Sequence, residues 1–464
     1  MLISIDSLRR DGLGCFGNAR GPSPFIDALA RRGIRFSGAV STTTWTMPAH
    51  HALLRGLPDD VHGYLADARP PATIGGRALP EILREEAGYQ TFGVYSGPYL
   101  HETFGFAEGF DTYESAVFYP VAYDAKDTLS PGDWQEAVEA THAQSHVEIT
   151  SDEVLARCIG FLKKRDPARP LFLFAHFFDV HFEYTPPPDF ARFSRGLESS
   201  IKGVPLLDPR IHAGISDEDK RYLRALYDDE ILWVDHNVGK LLNTLRRESR
   251  ERDTIVVIVS DHGEEFFEHG EKTHRRNLYQ ETLAIPLVLA SFKGTLPADI
   301  EIEARVRIYD VAPTLLELAG LSPPGWMLGE SLLALVRDAE RAQPRDAPAE
   351  LQYEGNHRAL LHAGMKLIGV KEHGAEKPRF ELYDLEHDPG ETQDLMASGD
   401  PEAIGIAYNE SLEELAAGEL GVPRQPLRGK GPIPDLRKHL RDLGYADPPS
   451  EPTPLHEMVF RRER

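Results

Sequence analysis

Short apolar runs alternate along this chain with stretches whose apolar residues recur every three or four positions. That pattern belongs to an α/β protein, a large and mainly parallel mixed sheet with helices on both faces. The runs predict strands at Leu2–Ile5, Thr91–Tyr95, Leu171–Phe174, Ile255–Val259 and Leu287–Ala290. Ile255-Val256-Val257-Ile258-Val259 is apolar and β-branched throughout, as a central strand buried on both faces requires. Helical spacing predicts helices at Pro24–Arg32, Leu79–Glu86, Asp152–Lys164, Lys220–Glu248 and Val311–Ala319. Tyr113–Ile149 is polar and aromatic-rich without periodicity, and reads as an insertion or lid. Pro186–Ser216 is a second irregular stretch.

From about residue 350 the rhythm changes to alternating strands at Arg358–Leu361, Met365–Val370 and Phe380–Asp384, followed by a helix at Pro401–Ala417. The tail Gly418–Arg464 is rich in proline and charge, with one short helix at Asp435–Leu443. The expected division is an α/β domain over residues 1–345 and a smaller α+β subdomain over 346–464, with a small antiparallel sheet and a surface-wrapping tail.

Composition narrows the function classes. Of 464 residues, 51 are Lys or Arg and 74 are Asp or Glu, giving a formal charge of −23. Gripping nucleic acid or an anionic membrane surface needs a basic footprint, so neither partner is expected. No run approaches the roughly 18 apolar residues of a membrane span. Two cysteines, Cys15 and Cys158, offer no disulfide framework and no CxxC pair. Together with an N-terminus that lacks the pattern of a secretory signal, they lead to an expected cytoplasmic location. The acidic run Asp228-Asp229-Glu230 reads as a solvated helix face.

Candidate chemistry gathers at predicted strand ends, where open α/β sheets carry their reactive groups. The first strand ends in Asp6, Ile255–Val259 runs into Ser260-Asp261-His262-Gly263, and Leu171–Phe174 leads to His176, Asp179 and His181. Carboxylate and imidazole from three separate strand ends form an oxygen and nitrogen set for one divalent cation. A second feature is Thr42-Thr43-Thr44-Trp45-Thr46-Met47-Pro48-Ala49-His50, a turn leading into a helix, with Pro48 suited to the first turn. Two readings of Thr46 stand open. It is either a hydroxyl poised beside free backbone N–H groups, or an ordinary helix cap.

Longer strings bear on that choice. Ile5-Asp6-Ser7-Leu8-Arg9-Arg10-Asp11-Gly12 and Trp45-Thr46-Met47-Pro48-Ala49-His50, followed by Leu54-Arg55-Gly56, resemble the opening of the sulfatase family within the alkaline phosphatase superfamily. The resemblance continues through His176-Phe177-Phe178-Asp179-Val180-His181, Ser260-Asp261-His262-Gly263-Glu264, His274, Asp310-Val311-Ala312-Pro313-Thr314 and Leu382-Tyr383-Asp384. It implies an alkaline-phosphatase/sulfatase-like fold and an ester hydrolase. It implies one divalent metal ion (Mn, Zn, Mg or Ca) held by Asp6, Asp261, His262 and the Thr46 hydroxyl. His181 and His274 would contact the transferred group of a small anionic ester, and His50 stands where relatives carry an Arg that supports the nucleophile. Lys272 is a substitute for His274, and Arg9, Arg275 and Arg276 are candidates for attracting the anion.

Two departures from the family pattern matter. Ser7 replaces a second metal-binding Asp. Sulfatases proper carry Cys or Ser in a C/S-x-P-x-R context that is oxidised to formylglycine, whereas this chain has Thr46, whose oxidation would give a ketone. Thr46 resembles instead the unmodified nucleophile of phosphodiesterase-type and phosphonate-cleaving members. The expectation is a hydrolase of phosphate or phosphonate (di)esters through a Thr46 ester. The alternatives are a sulfate-ester hydrolase with unmodified Thr and a phosphotransferase of the same superfamily. No pattern sets the oligomeric state.

Overall fold

The computed structural model describes residues 1–396 apart from 65–73, 118–132, 134–139, 141–148, 249–252, 339–343, 353–354, 363, 373 and 376–378. The expected helices at Pro401–Ala417 and Asp435–Leu443, the tail Gly418–Arg464 and nearly all of the segment 118–148 lie outside the described residues.

Eight strands form the central sheet: β1 (Leu2–Ile5), β2 (Gly33–Phe36), β3 (Gln90–Tyr95), β4 (Thr112–Ser115), β5 (Leu171–Phe177), β6 (Ile255–Ser260), β7 (Leu287–Ser291) and β8 (Ile300–Ile302). Their order is β8-β2-β7-β6-β1-β5-β3-β4. Every strand runs the same way except β7, which is antiparallel to both β6 and β2. Successive side chains point to opposite faces, so the apolar runs feed two cores. Leu2, Phe172, Phe174, Val257 and Val259 face one layer with helices α1 (Thr46–Arg55) and α2 (Leu79–Ala87). Ile3, Ile5, Leu173, Val256 and Ile258 face the other, with α3 (Ser151–Lys164) and α4 (Asp217–Glu248). Each such side chain, fully buried, contributes about 1.5–3 kcal/mol. Among the described residues no helix is long and apolar enough to cross a membrane.

Several sequence expectations change here. Thr112–Ser115 is an edge strand paired in parallel with Phe92–Tyr95, so the irregular segment starts later than Tyr113. Strands β2 and β8 were not legible because each is short and carries a charged residue. The acidic run Asp228-Asp229-Glu230 is buried, not solvated. Asp229 accepts hydrogen bonds from the backbone N–H groups of Arg192, Phe193 and Ser194, and Asp228 pairs with Arg20 and Asn18. The long helix thus staples the irregular stretch 186–216, whose backbone donors have no ladder to join.

A separate antiparallel sheet follows in the order β9 (Ala347–Gln352), β10 (Gly355–His362), β11 (Met365–Glu372) and β12 (Arg379–Asp384). The first of these strands was not expected, because Pro348 interrupts its pattern. On an edge strand that costs little, since no ladder partner needs the missing N–H. The outer side of β9 also reaches the turn before α1, where Glu350 N–H donates to the Thr42 carbonyl at 2.8 Å.

Buried polar contacts add to that join. Lys366 and Glu391 pair at 2.6 Å with both side chains fully buried, and Glu391 also accepts from the backbone N–H of Gln280. The His269 ring meets Glu281 at 2.6 Å and the Glu391 carbonyl at 3.1 Å. Burial disfavours the charged ring, but the hydrogen bond and charge of Glu281 outweigh it and raise its pKa to about 9. A raised pKa means that this contribution is complete below the ordinary histidine value and is lost as pH climbs through about 9. The loss is on the order of 1–3 kcal/mol. The melting temperature is expected to fall between pH 7 and pH 10, and His269→Gln should flatten the fall. An equally steep fall in the variant would remove His269 as its cause.

Candidate functional site

Register brings the strand ends together. Ile5 lies opposite both Ser260 and Phe177, so the residues that follow β1 and β6 share one edge of the sheet. Asp6, Asp261 and His262 meet there, each offering a ligand atom within 4.8 Å of the others. Thr46, the first residue of α1, comes in from the side. Its Oγ1 lies 3.4 Å from Asp6 Oδ2 and 3.4 Å from His262 Nε2. Trp45, not Thr46, is the helix N-cap, and no side chain caps that end. The cap reading of Thr46 is therefore excluded. Its hydroxyl faces the Asp/Asp/His group at the start of a ten-residue helix.

None of Asp6, Thr46, His50, His176, His181, Asp261, His262 and His274 is more than 5% exposed. Burial raises the Asp6 pKa to about 6, against the opposing effects of His262, Ser7 and Thr46. Ser7, which stands where the resemblance leads to a second Asp, donates from Oγ to Asp6 Oδ1 at 2.9 Å, and its N–H donates to Asp261 Oδ1 at 3.1 Å. It supplies hydrogen bonds where another carboxylate would add charge.

The imidazoles are held by their other nitrogen. His262 Nδ1 lies 2.9 Å from the Gly263 carbonyl, and His181 Nδ1 lies 2.6 Å from the Phe182 carbonyl. A carbonyl only accepts, so both rings carry their proton on Nδ1 and keep Nε2 as a lone pair. His274 Nδ1 meets Glu264 Oε1 at 3.0 Å, and the His274 ring lies 4.3 Å from His262 and 4.8 Å from His181, centroid to centroid. Glu264 is buried, receives the Tyr184 hydroxyl, and has its pKa raised by that burial and by Asp6 and Asp261. Nothing in the residues around Glu264 marks its contact with His274, since it follows the Asp-His-Gly string as one more acid.

His50 lies beneath the Thr46 turn. Its Nδ1 donates to the Thr46 carbonyl at 2.7 Å and its Nε2 accepts from Ser4 Oγ at 2.8 Å. Burial lowers its pKa to about 3, which keeps it neutral. It braces the backbone of the turn and is fully enclosed.

Other candidates lie elsewhere. Asp179 accepts from Thr150 N–H and Oγ1, Ser151 N–H and Trp233 Nε1, so it caps α3 and is not among the cation-facing groups. Lys272 donates from Nζ to the carbonyls of Asp208 and Ile211 and cannot stand in for His274. Arg9 is spent on Asp11, Glu268 and the Glu264 carbonyl. Arg275 lies over the Trp45 ring at 4.5 Å, beside the Thr46 turn. Cys15 lies in a short helical turn and Cys158 within α3; both are free thiols pushed up by burial.

The donor set fits a divalent cation. Asp261 Oδ2 is buried with no hydrogen-bond donor directed at it. Two carboxylates, an Nε2 lone pair and a hydroxyl converge with no Lys or Arg among them, and buried carboxylates are tolerated when a metal neutralises them.

The sulfatase family matches residues 1–321, and the C-terminal family of N-sulphoglucosamine sulphohydrolase matches 268–418. An arylsulfatase of Clostridium perfringens is 22% identical over 95% of this chain and 99% of its own length. A choline-sulfatase of Rhizobium meliloti is 26% identical over 85% of this chain and 81% of its own. Among solved structures, one in complex with D-glucosamine-2-N,6-O-disulfate superposes with a TM-score of 0.67 at 18% identity, covering 90% of this chain and 97% of its own. A phosphonate monoester hydrolase of Agrobacterium radiobacter gives 0.67 at 21% identity, covering 90% and 95%. With the match to the first family running through the strands and loops that assemble this site, the chain belongs to the sulfatase family and is an ester hydrolase.

Proposed function

We propose that this enzyme hydrolyses phosphate diesters or phosphonate esters, with a divalent cation and a covalent Thr46 intermediate. The observation that carries the reading is the Thr46 hydroxyl, which caps nothing and lies 3.4 Å from both Asp6 Oδ2 and His262 Nε2. A threonine there cannot yield the formylglycine aldehyde of sulfatases proper.

Asp6, Asp261, His262 and Thr46 would hold the cation, which when bound lowers the hydroxyl pKa and offsets charge on the transferred group. Thr46 gives its proton to solvent, and Oγ1 forms a bond to phosphorus while the bond to the departing alcohol breaks. His274, with Glu264 behind Nδ1, hands a proton from Nε2 to that alcohol. The same nitrogen then takes a proton from water, whose oxygen attacks phosphorus as Thr46 Oγ1 leaves, and Oγ1 takes a proton back from solvent. His181, its Nδ1–H held by the Phe182 carbonyl, takes up a proton on Nε2 beside the anion and donates it to the equatorial oxygens, orienting them. A formylglycine sulfate can instead expel sulfate from its hemiacetal. A Thr ester has no such exit, and attack on the central atom favours phosphorus.

The names of the curated relatives favour a second reading, a sulfate ester as substrate. Matched nitrophenyl phosphodiester, phosphonate and sulfate, offered to metal-stripped protein resupplied with Mn, Zn, Mg or Ca, separate the two. Diester or phosphonate turnover is expected, lowered roughly a thousandfold or more by Thr46→Ala. Preferential sulfate turnover would overturn the reading in favour of the second. A further expectation concerns Arg275, whose guanidinium lies over Trp45 at the lip of the turn. Arg275→Ala should raise KM about tenfold with a smaller change in kcat, the signature of lost ground-state binding. An unchanged KM would remove it from substrate capture.

A further inference from the structure

One buried imidazole at the site is used by none of the steps above. His176 lies near the end of β5, on the residue paired with Ser4, and is fully buried. Its Nδ1 is 2.5 Å from the Ser96 carbonyl, which can only accept, so the ring proton belongs on Nδ1. Nε2 then presents a lone pair. It has no hydrogen-bond donor, and 3.3 Å away is Asp6 Oδ2, itself an acceptor. Two buried acceptors facing each other repel unless positive charge lies beside both. Asp6 divides its two oxygens between two sets of neighbours. Oδ1 takes Ser7 and faces His262, while Oδ2 faces Thr46 and His176. The His176 lone pair therefore bears on the same carboxylate oxygen as the Thr46 hydroxyl.

We propose that His176 serves the cation in two ways, by positioning Asp6 Oδ2 and by offering its own Nε2 lone pair beside that oxygen. By withholding a hydrogen bond from that oxygen and adding a nitrogen lone pair beside it, His176 leaves Asp6 to be satisfied by a metal ion. It also biases the site towards metals that accept nitrogen, partly compensating for the carboxylate that Ser7 does not supply. The preference should favour Zn or Mn over Mg or Ca, because imidazole suits the former and hard cations gain little from it. The inference rests on the Asp6, Asp261 and His262 reading of the metal site.

The test is cation affinity, measured by competition titration of metal-stripped full-length protein with Zn, Mn and Ca. The variants are His176→Ala and His176→Gln, beside Asp261→Asn. Groups that orient metal ligands typically change affinity 10–100-fold. Both His176 variants should weaken Zn and Mn binding by about tenfold or more and Ca binding by less than about threefold. His176→Gln fills the space better and can donate to Asp6, so it should weaken binding at least as much as His176→Ala. A milder effect of Gln would mean that packing alone is responsible, and would overturn the proposal. Unchanged affinity in both variants, with Asp261→Asn abolishing binding, would overturn it while leaving the metal site intact. Binding that survives Asp261→Asn would overturn the site and the proposal together. Thermal melts of the metal-free variants show whether each is folded, and the Co-loaded protein gives a second readout. Its visible spectrum should change in the His176 variants, and an unchanged spectrum also counts against the proposal.

Discussion

Asp6 and Asp261 end adjacent parallel strands, and the pairing of Ile5 with Ser260 places both carboxylates in one fully buried space. Moving such groups out of water is unfavourable by several kcal/mol each unless hydrogen bonds or opposite charge compensate. The local structure divides that compensation. Ser7 and the backbone satisfy inward oxygens, while Asp261 Oδ2 and Asp6 Oδ2 are left facing the middle. Among the described residues no Lys or Arg side chain takes part. What remains is a concentration of negative charge and lone pairs that a divalent cation would neutralise.

The imidazoles follow from the same constraint. Anchoring Nδ1 on a backbone carbonyl fixes the tautomer of His262, His181 and His176 before any ligand arrives. His50 is kept neutral by burial and spends both nitrogens on Ser4 and the Thr46 carbonyl. The turn that carries Thr46 is thereby braced from below. It is also tied from outside, where the Thr42 carbonyl receives Glu350 of the antiparallel sheet and the Thr44 hydroxyl reaches the Asn277 carbonyl. Geometry at the hydroxyl thus depends on Asn277 and Glu350, both far along the chain.

Buried acids do similar structural work away from the site. Asp179, Asp229 and Asp219 each collect backbone or hydroxyl donors from stretches without a ladder. Irregular chain next to a reactive centre is held in place this way, so a carboxylate in such a region is no guide to chemistry by itself.

Apolar periodicity by itself determined the α/β architecture, because burial on two faces imposes local patterns that survive in the sequence. Five central-sheet strands and the five helices expected between Pro24 and Ala319 were legible within a few residues, and the strings around Asp6, Thr46, His181, Asp261 and His274 marked the family and the candidate groups. Short edge strands were not, since pairing and not composition makes them. Only the tertiary structure decided how polar residues of one type divide their work. Asp179 became a helix cap and Asp228-Asp229-Glu230 a buried staple, Arg9 and Lys272 were spent on local partners, and Thr46 faced the Asp/Asp/His group. The reason is physical. A side chain's partner is fixed by strand register and by what packs against it from distant parts of the chain, and neither is written in the residues beside it.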